Sequence, residues 1–151
     1  MPSVAEVWLA DDLARLEENP SPHIQADLYR CGWETGWTPA PLERTPRPYV
    51  IHHAVNWASP RGGLTVRMRV SVFAPVLGFI RWPAAEEWGR EYVDIPPLTS
   101  WWQGAGWLVP DASWLNSPFT ASDLTALDRQ AARELRHWRD LPRGDALFFE
   151  W

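Results

Sequence analysis

The residues best suited to chemistry are the adjacent pair His52 and His53 and the nearby arginines Arg67 and Arg69. Histidine exchanges a proton near neutral pH, and an arginine fork binds carboxylate or phosphate groups. These residue types predict a pocket in which His53 or His52 acts as a catalytic base. Arg67 and Arg69, joined by His52, form the predicted anion-binding cluster.

The same residues also fit a structural role. Neighbours on a strand point to opposite faces, so His52 and His53 are not expected to share one task. His53 falls among apolar residues and is expected to be buried, with His52 the more exposed of the two. Charged rows on a sheet surface are common and individually weak. Arg67 and Arg69 are therefore expected on a solvated face, balanced by the carboxylate of Glu34, Glu86 or Glu87.

Tryptophan is the other unusual feature, with 12 residues in a chain of 151 in which all 14 basic residues are arginine. Most of the indoles are expected in the core, because exposing all of them would promote aggregation. Trp and Arg dominate the binding energy of many protein interfaces. The predicted partner contacts are the five tryptophans in segments rich in proline and glycine: Trp33, Trp37, Trp101, Trp102 and Trp107.

Known motifs for metals, cofactors and nucleophiles are missing from the sequence. Cys31 is the single cysteine, and no histidine or cysteine stands at a spacing typical of a zinc site, so an inert buried thiol is expected. The glycines at 104 and 106 lack the third glycine of a dinucleotide fingerprint, and a chain without lysine has no Walker lysine. No metal and no cofactor are predicted.

Composition restricts the class of protein. Hydrophobic residues make up 46% and charged residues 22%, which is ordinary for one globular domain covering residues 1–151. The net charge of −5 disfavours nucleic acid, so single-strand binding by indole stacking is only a third option. No apolar run approaches the roughly 20 residues of a membrane span. We expect a soluble cytoplasmic protein that does not enter a membrane.

A hairpin over about 49–73 must position the histidines and arginines. Apolar and polar residues alternate along its second strand, which is typical of a half-buried strand. The predicted register places Trp57 opposite Leu64 and His53 opposite Met68, because this pairing gathers the apolar side chains on one face. His52, Arg67 and Arg69 then share the other face.

Regular elements are predicted on both sides of this hairpin. Capping and periodicity predict helices over about 3–18 and 120–141, with a short helix after Pro83. Residues 76–82 are predicted to form a third strand. The order of elements predicts an α+β fold, an antiparallel sheet built on the central hairpin with the N-terminal and C-terminal helices packed on one face.

Two segments are expected to be irregular, residues 32–48 and 99–116, while 24–31 is open between a strand and a helical turn. Long irregular segments are often binding segments. The sequence therefore favours a non-enzymatic protein, such as an inhibitor, an immunity-type protein or an assembly subunit, which contacts a protein partner or a second copy through these loops. The alternative is a pocket protein or enzyme that binds a small anionic or aromatic ligand through the His/Arg cluster.

Overall fold

The structure is a computed structural model, and it describes residues 21–43, 52–71, 75–83, 91–118, 120 and 142–148. The helices predicted over about 3–18 and 120–141 lie outside the described residues, apart from Thr120. Most of the short helix predicted after Pro83 also lies outside them.

In chain order the described elements are α1 (Ser21–Thr35), β1 (Thr38–Pro39), β2 (His52–Ala58), β3 (Thr65–Ser71), β4 (Leu77–Arg81), α2 (Pro96–Gly104), α3 (Ala112–Asn116) and α4 (Arg143–Phe148). The strands form one antiparallel sheet in the order β1-β2-β3-β4. The α+β class and the sheet built on a central hairpin are confirmed.

The β2–β3 hairpin has the two faces that the sequence predicts, but its register is displaced by two residues. Trp57 pairs with Val66 rather than with Leu64, and every other pair moves equally. The turn sets this register, because the Ser59 N–H donates to the Leu64 carbonyl over 2.8 Å and the Ser59 hydroxyl accepts from the Leu64 N–H at 3.1 Å. A displacement of two residues returns each side chain to its expected face, since the pleat repeats every two residues.

One face of the sheet carries the apolar core. The strands contribute Val55, Trp57, Val66, Met68, Val70, Leu77 and Phe79, and the covering segments contribute Ile24, Leu28, Cys31, Trp37, Ile95, Leu98, Trp102, Trp107 and Val109. Trp102 lies among other aromatic rings, with its centroid 6.5 Å from that of Trp57 and 5.4 Å from that of Trp107, both edge-on. Such pairs add about 0.5–1.5 kcal/mol beyond the area they bury.

The opposite face of the sheet is covered as well. Gly78 pairs with Arg69, and a Cβ added at Gly78 would lie 3.0 Å from Leu115 of α3 and 3.3 Å from Phe148 of α4. The described helices therefore enclose the sheet, with α1 and α2 on the apolar face and α3 and α4 on the arginine face. Phe148 is fully buried.

Proline stands in the first turn of two of the described helices. Pro22 is the second residue of α1, which settles the open interpretation of 24–31 as helix. Pro96 and Pro97 occupy the first turn of α2, where the missing N–H of proline would have had no partner within the helix. Residues 99–116, expected to be irregular, are largely helical because α2 and α3 cover most of them, which is a correction to the sequence analysis.

The outer edge of β4 is occupied by neighbouring backbone. The Val93 N–H donates to the Phe79 carbonyl at 2.9 Å, and the Leu77 N–H donates to the Leu108 carbonyl at 3.0 Å. These hydrogen bonds use backbone N–H and C=O groups of β4 that would otherwise be open to pairing with an additional strand. The strand itself was predicted within 76–82, and this is confirmed.

Candidate functional site

Arg67 is held by groups of its own chain. Its guanidinium donates to Asn56 Oδ1 at 2.9 Å, directly across the ladder, and also bonds the carboxylate of Glu43. Its Cζ lies 4.4 Å from the centroid of the Trp82 ring. An amide, a carboxylate and an indole of the same chain thus engage the side chain. This arrangement favours the structural role, with Glu43 rather than Glu34 as the balancing carboxylate.

Arg69 lies deeper on the same face and is 2% exposed. Its Nη1 donates to the Tyr92 hydroxyl at 3.1 Å and lies 3.6 Å from Asp145 Oδ1 in α4. The Tyr92 hydroxyl donates to the same carboxylate oxygen at 3.0 Å, which closes a triangle of three side chains. Burial raises the pKa of Tyr92 above its ordinary range, partly opposed by the Arg69 charge, so the phenol stays protonated and donates.

The expectation that Arg69 faces solvent is wrong, because Tyr92 and α4 cover it. Its charge is balanced by Asp145, and the pair ties α4 to the sheet. The Arg69 Nε has no hydrogen-bond partner among the described residues, but it is shielded from solvent. A buried cation with a carboxylate of its own is better suited to holding a structure together than to capturing an external anion.

Both histidines are buried. His53 lies on the apolar face opposite Val70, as predicted, while His52 lies on the arginine face opposite Ser71 and diagonal to Arg69. His52 is 6% and His53 7% exposed, so the expectation that His52 is the more exposed residue is wrong. The sheet does bring His52 and Arg69 onto one face. Burial of both rings gives no support to the catalytic role predicted for either histidine.

The five candidate tryptophans separate into core and surface residues. Trp37, Trp102 and Trp107 belong to the buried core cluster. Their burial gives no support to the partner contact predicted for these three, because the segments that carry them fold over the sheet and turn the rings inward. Trp101 is half-buried and Trp33 is 83% exposed, so these two remain candidates.

The outer side of α1 presents two large aromatic side chains to solvent. Tyr29 is 75% exposed and lies four residues before Trp33, so the two rings are neighbours along one side of the helix. The opposite side of α1 supplies core residues. Elsewhere in the described residues the exposed large hydrophobic side chains are Leu64 and Leu108. We call Tyr29, Arg30, Trp33 and Trp101 the α1 aromatic surface.

Charged groups border this surface where α1 meets α2. The Arg30 Cζ lies 5.7 Å from the centroid of the Trp101 ring, and the Trp101 indole N–H donates to the carboxylate of Glu34. About one turn earlier in α1, Asp27 accepts a hydrogen bond from the Trp107 indole N–H at 2.9 Å. Its carboxylate lies 3.9 Å from the Arg30 guanidinium. Carboxylates of α1 therefore satisfy both indole donors and fix the two helices against each other.

Comparison with known proteins gives no matching family model, no matching curated protein and no matching solved structure. Within the described residues, no group of three or more His, Cys, Asp or Glu side chains is placed to hold a metal ion. None of the helices in that part of the chain is long and apolar enough to cross a membrane.

Cys31 lies beneath the α1 aromatic surface and is fully buried. Burial raises the pKa of its thiol to about 11. A thiol with such a pKa is protonated at neutral pH and is a poor nucleophile. The burial of Cys31 expected from the sequence is confirmed.

Tyr29 is the surface residue that the sequence analysis missed. It lies in the segment that was open between strand and helix, and only a helix places it beside Trp33. The signal was the four-residue spacing of Ile24 and Leu28, with Cys31 three residues further on. This spacing marks the buried side of a helix and leaves Tyr29 and Trp33 on the other side.

Proposed function

We propose that this chain is a non-enzymatic binding protein that attaches to another protein through the α1 aromatic surface. The observation that carries the proposal is the exposure of Tyr29 and Trp33 side by side on one helix. Trp33 is the single exposed indole of the described residues. An inhibitor, an immunity-type protein and an assembly subunit all fit this role.

The physical argument is that water is a poor environment for these rings. Burying a large apolar side chain contributes about 1.5–3 kcal/mol, and the isolated chain does not obtain this for Trp33. Trp, Tyr and Arg are the residue types that carry most of the energy in protein interfaces. Trp101 is already held by its hydrogen bond to Glu34, so its side chain loses little freedom when a partner binds.

The small-ligand pocket on the His/Arg cluster receives less support. Arg67 and Arg69 each already bind a carboxylate of the chain, from Glu43 and Asp145. An external anion would have to displace these partners. The proposed setting is the cytoplasm, where reducing conditions preserve a free thiol such as Cys31.

The proposal is tested by affinity capture from an extract of the source cells with the full chain immobilised. The variants are Tyr29→Ala with Trp33→Ala, and the control Leu64→Ala, which removes an exposed apolar side chain of the β2–β3 turn that is not part of the α1 aromatic surface. We expect the double variant to bind the captured protein at least about tenfold more weakly, since interface anchors contribute 2 kcal/mol or more. The control should bind normally. Equal capture by all three proteins would exclude the α1 aromatic surface.

A further inference from the structure

We infer that the partner of the α1 aromatic surface is a second copy of this chain, so that two α1 helices pack antiparallel about a two-fold axis. This inference rests on the proposed function and specifies the partner. It follows from the arrangement of charge beside the exposed rings.

Arg30 and Glu34 lie one helical turn apart but do not neutralise each other. Arg30 is paired at 3.9 Å with Asp27, and its side chain remains 61% exposed. Glu34 accepts a hydrogen bond from the Trp101 indole, and no cation in the described part of the chain forms an ion pair with it. The flank of α1 thus carries a loosely paired cation followed, one turn later, by an unpaired carboxylate.

A two-fold axis explains this order of charges. In an antiparallel pair of identical helices the same flank of each helix faces its copy, and every contact occurs twice. An axis that crosses α1 near the level of residue 32 sets Arg30 of one copy opposite Glu34 of the other. The symmetry then sets Glu34 of the first copy opposite Arg30 of the second. Both carboxylates gain a cation.

The same axis brings the aromatic side chains together. Tyr29 and Trp33 are one helical turn apart, and the level of the axis falls between them. Trp33 of each copy therefore lies beside Tyr29 and Trp33 of the other copy. The rings leave water at the centre while the charge pairs lie at the rim. Stable interfaces have this order, with aromatic anchors inside and polar groups outside.

Charge also favours a second copy over a uniformly basic or acidic partner. The chain has a net charge of −5, which would attract a basic protein as a whole. A basic surface laid on α1, however, would press cations against Arg30, and an acidic one would press carboxylates against Glu34. A surface with one charge of each sign in fixed order is best matched by its own two-fold image.

The test uses charge reversal in the full chain, with mass measured by light scattering and sedimentation equilibrium. The wild type should have twice the 17.4 kDa of one chain. Arg30→Glu places two carboxylates opposite each other, and Glu34→Arg places two guanidinium groups opposite each other. Each variant alone should associate at least about tenfold more weakly. A mixture of the two should form a one-to-one heterodimer, because both contacts then join opposite charges.

The matched control is Arg61→Glu, which makes the same charge change in the exposed β2–β3 turn and should leave the wild-type association unchanged. A wild-type chain that stays monomeric up to about 1 mM would overturn the inference. So would failure of the mixed variants to associate. If the wild type is monomeric while Tyr29 and Trp33 are still needed to capture a different protein, the homodimer is wrong and the proposed function stands. If neither self-association nor capture of a different protein depends on Trp33, the homodimer and the proposed function are both wrong.

Discussion

The guanidinium of Arg69 and the hydroxyl of Tyr92 meet 3.1 Å apart in the protein interior, on the face of the sheet away from the aromatic core. Both also contact Asp145, at 3.6 and 3.0 Å. The triangle connects β3, the segment before α2, and α4. A full positive charge is tolerated there because a carboxylate and a neutral phenol compensate for lost water.

Removing the carboxylate from this triangle should be costly. Asp145→Ala leaves the Arg69 cation buried without its counter-ion, so the free energy of unfolding should fall by about 3–5 kcal/mol. Urea denaturation at pH 7 measures this change. The control is Glu43→Ala, because Glu43 bonds Arg67 but is largely exposed, and such pairs contribute about 0–1 kcal/mol. Equal losses in the two variants would show that burial does not set the strength of these pairs.

Gly144 should be intolerant of any side chain. A Cβ at this position would overlap the ring of Tyr92, which is itself fixed by Arg69 and Asp145. Overpacking of this kind costs about 1–3 kcal/mol, so Gly144→Ala should lower the thermal midpoint of unfolding. Gly63→Ala is the matched control, since a Cβ there meets nothing within 4 Å. A normal midpoint for Gly144→Ala would mean that α4 is not packed against Tyr92.

The β3 strand shows what a local pattern predicts and what it does not. Alternation of Val66, Met68 and Val70 with polar residues correctly predicted which side chains share a face. It did not predict that Arg69 is buried, because the groups that cover it, Tyr92 and Asp145, lie far along the chain. Periodicity reports the direction of a side chain, while its burial depends on tertiary contacts.

The tryptophans show a second limit. Trp33 and Trp102 were predicted to contact a partner for the same reason, their position among prolines and glycines, yet one is exposed and the other fully buried. Composition cannot separate them, because Pro96 and Pro97 begin a helix that turns Trp102 inward. The spacing of apolar residues along each helix, rather than the prolines and glycines nearby, is the physical signal that distinguishes the two indoles.

Truncating these two indoles should therefore have opposite consequences. Trp102→Ala empties a site at the centre of the apolar core and should lower the free energy of unfolding by about 3–5 kcal/mol. Trp33→Ala removes an exposed ring and substitutes a good helix former, so stability in the monomer should change by less than about 0.5 kcal/mol. Chemical denaturation at low protein concentration measures both. A large loss for Trp33→Ala would mean that its ring packs within its own chain.

Alkaline pH should weaken the fold through two buried acids. The pKa of Cys31 is raised from its ordinary 9.0 to about 11 in the folded chain, and burial also raises the pKa of Tyr92. Between about pH 9 and 11 the unfolded chain releases protons that the folded chain retains, so the free energy of unfolding falls as pH rises. Below pH 9 the Cys31 contribution is fully present.

Urea midpoints measured from pH 7 to 11 for the wild type, Cys31→Ala and Tyr92→Phe test this dependence. Each substitution removes one proton that the folded chain holds more tightly, so each should make the decline above pH 9 less steep than in the wild type. Their midpoints at pH 7 will differ because Cys31→Ala leaves a gap and Tyr92→Phe loses the bonds to Arg69 and Asp145. The slope with pH, rather than the midpoint at one pH, therefore decides. Parallel curves for all three proteins would show that neither buried acid is responsible.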